Sequence, residues 1–296
     1  MLVSRVITGL SLIIILALLL FKANFILFNL FLYLVVFLCS KEWGKVNKLK
    51  YFCLLFNISL IIFTVLLLLF QYNILSFSGF SNDLSYFITL NINLAPFWGL
   101  IFISILYFSK PIKSKLFLYF TGFFILTNFV VSILDIKYNL SNQSSYEYIN
   151  FLNYSVFDSY QGAVILLSLV FLTAINDTGA YFTGKFYGRH KLAKFISPNK
   201  TIEGLFGGVT FSLILSTVFY YFLFNLKIGI LYWLLLIFVL MICANLGDLV
   251  ESQLKRNAKV KDSGNILPGH GGMLDRLDSH LVVIPMFWFF MINFVF

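Results

Sequence analysis

Between residues 245 and 280 the chain reads NLGDLVESQLKRNAKVKDSGNILPGHGGMLDRLDSH, a run in which carboxylates alternate with Lys, Arg and Gly. Asp248, Asp275 and Asp278 offer hard oxygen ligands. Mg²⁺ takes one or two such groups together with phosphate oxygens. Lys255, Arg256, Lys259, Lys261 and Arg276 are interleaved with them. Carboxylates for a metal, beside cations and glycines for phosphate, are what phosphoryl or nucleotidyl transfer requires, because that chemistry depends on positioning and charge neutralisation.

The elements that must carry these groups follow from local pattern. NLGDLVESQLKR continues the apolar run LLLIFVLMICA without a breaker, so one helix carries Asp248 across a membrane boundary. Glu251, Ser252 and Lys255 then share its face at i+3, i+4 and i+7. The plainer alternative is a helix end meeting water, its cations favoured by the C-terminal dipole. In KDSGNILPGHGG, Gly264, Pro268, Gly269, Gly271 and Gly272 exclude a regular helix and let backbone N–H groups turn toward an anion, although an ordinary Gly/Pro loop reads the same way. His270 can donate to a phosphate or leaving group, or serve only the loop. GMLDRLDSH opens a last helix with Asp275 and Asp278 three apart near its positive end, where capping accounts for one aspartate but not both.

A second cluster lies upstream. Asp177 sits inside the apolar run LLSLVFLTAINDTGAYFTG, a costly depth for a carboxylate unless it is paired or faces a wet cavity. The basic loop after it ends in SPNKTIEG, where Ser197 or Thr201 can cap the next helix and Glu203 suits its first turn. Capping leaves Lys200 unexplained. Lys185 and Arg189 read equally as phosphate ligands or as charges that hold a loop on one side of a membrane.

Composition sets the architecture. Of 296 residues 60% are hydrophobic and 11% charged, with 37 Phe, and the mean hydropathy is +0.93. Such a chain cannot coat a soluble globule, and apolar runs long enough for a bilayer recur along it. The expected class is all-α, a polytopic membrane bundle of about nine spans: 6–21, 25–40, 51–70, 90–108, 116–134, 161–184, 204–224, 229–247 and 281–296. Phe21 is followed by no small-x-small cleavage site, so the first run is expected to stay as a membrane helix. With the N-terminus inside, Lys22, Lys137 and Lys227 fall outside and every other Lys and Arg falls inside or at the inner boundary. Residues 135–160 read as an external loop. The net charge of +9 is therefore a topology signal, and a face for nucleic acid has nowhere to form. Cys39, Cys53 and Cys243 lack metal or disulfide spacing. From Asp177 onward lie seven of the 12 Asp and Glu, which locates the chemistry in about the last 120 residues.

The run from Ser252 to Asp278 resembles the signature of the phosphatidate cytidylyltransferases, or CDP-diacylglycerol synthases. GDLVES, NDTGAYFTGKFYGRH and SPNKTIEG are similar to family segments in the expected order, and Glu42-Trp43 resembles a feature of the N-terminal half. The strong resemblance covers about residues 170 to 280; Asn176 departs from it, where a smaller or apolar neighbour is expected. The resemblance implies a Mg²⁺-dependent membrane enzyme, with one metal ion or two, that joins CTP and phosphatidic acid to give CDP-diacylglycerol and pyrophosphate. It also implies a homodimer in a bacterial inner membrane, with its active site on the cytoplasmic side.

On this reading residues 1–160 are scaffold, lipid-facing and dimer helices, and 161–296 are catalytic helices. Asp248 and Asp275 hold the metal, and Asp278 joins it or orients the site. Lys255, Arg256 and Lys261 meet charge passing to pyrophosphate, with Asp262, His270 and Arg276 in the same catalytic segment. Asp177, Lys200, Thr201, Glu203, Ser252, Gly271 and Gly272 are expected to line the substrate cavity. A CTP-dependent polyprenol or phytol kinase, which would release CDP, is the alternative. An ion-coupled transporter is a more distant one, since the polar residues gather at one side of one half.

Overall fold

The structure, a computed structural model, describes residues 2–71, 114–138, 159–222, 229–266 and 271–295. The expected span at 90–108 and His270 lie outside the described residues. Three helices open the chain, α1 (Leu2–Lys22), α2 (Phe25–Val46) and α3 (Phe52–Gln71). Then come α4 (Lys115–Tyr138) and α5 (Ser159–Tyr187), a two-stranded hairpin of β1 (Lys191–Ala193) and β2 (Ser197–Thr201), and α6 (Ile202–Phe222). The long α7 (Ile230–Asn257) is followed by a single-turn α8 (Leu274–Leu277) and α9 (His280–Phe290).

Five of these helices, α2, α4, α5, α6 and α7, are long and apolar enough to cross a membrane. Their outward faces carry leucines such as Leu34, Leu116 and Leu235, while Asn128, Ser132, Asn176, Ser212 and Ser216 are buried. That polarity is the reverse of a soluble bundle and suits lipid, where small and polar residues join helices. The chain is a polytopic helical membrane protein.

Two boundaries differ from the sequence reading. Residues 135–138 are not loop but the last turn of α4. Burial holds them in the helix: Trp288 Nε1 donates to Asp135 Oδ2, and Lys137 Nζ donates to the Leu20 carbonyl at 2.6 Å while lying over the Phe28 ring. The basic stretch after α5 is also not a plain loop. Lys191 pairs with Thr201 and Ala193 with Ser197, so Ser197 is a strand residue and caps nothing.

The pair α5 and α6 packs most closely, because glycine lets the two backbones approach. Thr183 donates to the Gly179 carbonyl at 2.6 Å and presses on Gly207 across the interface. Ser212 Oγ reaches across to the Leu172 carbonyl at 3.1 Å. A Cβ at Gly208 would overlap the Asn176 carbonyl, a backbone atom that cannot step aside. Gly208→Val is therefore expected to force α5 and α6 apart at a cost of about 1–3 kcal/mol or more, lowering the thermal midpoint in detergent. Gly229→Ala, with nothing within 4 Å of its new methyl, should leave that midpoint unchanged.

Candidate active site

The unbroken helix α7 places its polar residues as the period requires. Ser252 Oγ donates to Asp248 Oδ1 at 3.2 Å, and Lys255 Nζ pairs with Glu251 Oε2 at 2.5 Å. Two further elements deliver cations and carboxylates to this face. From the hairpin, Lys200 Nζ meets Asp248 Oδ2 at 2.5 Å. From α8, Asp275 Oδ1 meets Lys255 Nζ at 2.8 Å.

Asp275 is heavily engaged. Its oxygens accept the Ser263 N–H at 3.0 and 3.1 Å and the Gly272 N–H at 2.7 Å. Burial alone would raise its carboxyl, but the Lys255 ammonium and the Gly272 N–H hold it down at about 2. Gly271, at φ +85°, turns the chain so that the next N–H can face this carboxylate. Among the described residues of the loop, the Ser263 and Gly272 amides thus go to a carboxylate of the protein itself.

Glu42, from α2, accepts from the same segment. It is 3% exposed, and it accepts Ser263 Oγ at 3.0 Å and the N–H groups of Met273 at 3.1 Å and Leu274 at 2.8 Å. Gly264 and Gly272 lie against its carboxylate with no room for a side chain. Its position beside a free helix start is physically favourable, since the first N–H groups of a helix lack intrahelical partners.

Three carboxylates converge differently from the expected set. Asp248, Glu251 and Asp278 each offer an oxygen, all within 4.8 Å of one another. Asp278 accepts the Ser279 N–H at 2.7 Å. Burial and then the charge of Asp248 nonetheless push Asp278 up to about 8, so at neutral pH it keeps its proton unless a cation offsets the crowding. Glu251 Oε1 is buried with no hydrogen-bond partner. Acid oxygens crowded this closely, one of them orphaned, fit a hard divalent cation. Glu251 was legible on the α7 face, but its i+4 relation to Lys255 makes it read as an ordinary ion-pair partner.

The space around these groups forms two cavities, the smaller of them almost wholly polar. One, of about 280 Å³, is lined by Asp177, Asp248, Lys255, Asp275, Arg276 and Asp278, with Asp262, Ser279 and His280 at its walls. Asp177 and Asp248 also line the second, of about 600 Å³, which Lys185, Asn199, Lys200, Thr201 and Asn245 border. Asp177 thus meets the condition set by its depth, a polar cavity on its open side. Thr201 Oγ1 accepts the Gly204 N–H at 3.1 Å and so caps α6 as expected. Glu203 turns instead to the Arg189 and His190 N–H groups, at 3.0 and 3.1 Å, and ties the hairpin to α6. Arg256 and Lys261 line neither cavity. Arg256 is exposed, and its Nε donates to the Ile196 carbonyl at 3.4 Å, facing the hairpin. Asn176 Oδ1 accepts Asn245 Nδ2 at 3.4 Å, a polar link between α5 and α7.

The chain is similar to the phosphatidate cytidylyltransferase of Bacillus subtilis (strain 168), at 54% identity over 114 residues, 38% of this chain and 42% of that protein. The enzyme of that name from Staphylococcus haemolyticus (strain JCSC1435) is 56% identical over 113 residues, 38% of this chain and 43% of its own. That from Staphylococcus aureus (strain COL) is 50% identical over 127 residues, 43% and 48% of the two chains. The matched stretches therefore span less than half the length of each relative. The family match runs almost from end to end, over residues 3–294, and the chain belongs to the cytidylyltransferase family.

Proposed function

We propose that this protein transfers the cytidylyl group of CTP to phosphatidic acid, giving CDP-diacylglycerol and pyrophosphate for phospholipid synthesis. The observation that carries this reading is the joining of a carboxylate-and-cation pocket to a larger cavity bordered by Lys185 and Lys200, through Asp177 and Asp248. The larger cavity suits the nucleotide, with Lys200 and Lys185 toward its phosphates. An oxygen of the lipid phosphate attacks the α-phosphorus, and the bond to the β-phosphate breaks to release pyrophosphate. A phosphate monoester loses its second proton near about pH 6, so the attacking group is already largely ionised and needs no strong base. Lys255 and Arg276 stabilise charge on the phosphates, and Asp275 orients Lys255.

Asp248, Glu251 and Asp278 are the residues that would hold Mg²⁺, with Asp275 supporting them through Lys255 and the loop amides. Bound there, the ion supplies neutralisation of the triphosphate charge. The basic segments flanking the apolar helices favour a cytoplasmic face of a bacterial inner membrane for this site. The resemblance adds a homodimer, which the mass of the detergent-solubilised protein reads directly.

The test uses purified protein in detergent with phosphatidic acid, Mg²⁺ and CTP radiolabelled at the α-phosphate. Label should enter the lipid phase with release of one pyrophosphate per turnover, and both should stop on chelation. Label that stays aqueous while a γ-phosphate label enters lipid would replace this reading with a CTP-dependent lipid kinase.

A further inference from the structure

An apolar cavity of about 230 Å³ lies beside the carboxylate pocket, walled by α1, α2, α4, α5 and α9. Leu16, Phe28, Val35, Ile133, Val170 and Ile284 line it. At one end Arg276 and His280 belong to both this cavity and the carboxylate pocket. His280 Nε2 lies 2.9 Å from Thr173 Oγ1, which fixes the ring at the junction. Toward the other end the wall reaches Leu20, about 10 Å along α1 from Ile13 at the helical rise. Ile13 and Ile15, on the wall, are 37% and 46% exposed, so the cavity is not sealed along α1.

We propose that this groove holds the glycerol-proximal part of one acyl chain of the phospholipid acceptor, with its phosphomonoester at Arg276 and facing the carboxylate pocket. The inference rests on the transfer reaction proposed above and assigns where its lipid lies. The occupant must be apolar along its length and anionic at one end, because the walls are hydrocarbon and the mouth carries a guanidinium. Lipid tails are as apolar as leucine, so moving a chain from bilayer to groove gains little free energy. The groove contributes position: it holds the phosphate within reach of the nucleotide, and misplacement by about 1 Å can cost a hundredfold in rate.

The experiment uses the full chain in phosphatidylcholine nanodiscs with phosphatidic acid that carries a photoreactive diazirine on one acyl chain. Irradiation should label peptides containing residues 13–20, 129–133 and 166–170. Excess unlabelled phosphatidic acid should suppress that labelling, and excess phosphatidylcholine with the same chains should not. Groove peptides labelled no more than the outward Leu231–Leu235 face, or suppressed equally by both competitors, would overturn the assignment. Val170→Trp should lower kcat/KM for phosphatidic acid about tenfold and leave the KM for CTP unchanged. An unchanged kcat/KM for phosphatidic acid in a folded protein would also overturn it. Formation of CDP-diacylglycerol in the same nanodiscs separates the two readings: transfer without specific groove labelling sinks the groove alone, and specific labelling without transfer sinks the reaction alone.

Discussion

Asp248→Asn is expected to lower turnover with CTP and phosphatidic acid by about 10²–10³-fold, the scale of removing one well-placed electrostatic group from a reacting centre. The substitution keeps shape and removes one charge. That charge now pairs with Lys200 at 2.5 Å and lies within 4.8 Å of Glu251 and Asp278. Stability should move the other way. A carboxyl whose folded pKa exceeds its unfolded one costs stability above the unfolded value, increasingly until the folded value is passed. Asp278, pushed up to about 8, imposes that cost at neutral pH, and Asp248 is one of its causes. The partly exposed Lys200 pair that is lost offsets little of the relief. Without Mg²⁺ the variant should therefore melt at the wild-type temperature or above it, and added Mg²⁺ should stabilise the wild type but not the variant. A folded variant with wild-type turnover would remove Asp248 from the proposed metal site.

Much of this site follows from helical period. Asp248, Ser252 and Lys255 share a face because nothing in the run from Ile230 to Asn257 breaks the helix, and the depth of Asp177 alone calls for a polar cavity. What sequence pattern does not carry is the path of irregular backbone. The amides of Ser263 and Gly272 turn to Asp275 only because the loop bends at Gly271, and that bend decides that Asp275 orients Lys255 while Glu251 joins Asp248 and Asp278. The Lys200–Asp248 pair depends on an unforeseen hairpin. Its strands are short, and Glu203 of α6 holds the base of the hairpin through the Arg189 and His190 N–H groups. The helix boundary at Asp135 was hidden for a related reason: an Asp and a Lys read as loop until Trp288 and the Leu20 carbonyl supply partners inside the bundle.

Glu42 shows the same limit at its greatest distance, since its three partners lie 221 to 232 residues away. Glu42→Ala would leave two backbone N–H groups and a hydroxyl buried without acceptors, each at a cost of about 1–3 kcal/mol. The loop from Asp262 to Met273 carries the Ser263 and Gly272 amides that fix Asp275, so loosening it releases Lys255 as well. Turnover should fall about a hundredfold, the scale set for misplacing reacting groups by about 1 Å. Glu42→Gln should not restore it. Its amide keeps one acceptor oxygen, but it presents N–H groups to partners that are themselves donors. Amide hydrogen exchange at Met273 and Leu274 distinguishes this positioning role from general unfolding. Those amides should exchange faster in both variants, while the amides of α5 and α6 keep their protection. Wild-type turnover in Glu42→Ala, or exchange that rises equally through α5 and α6, would show that the loop is held without this contact.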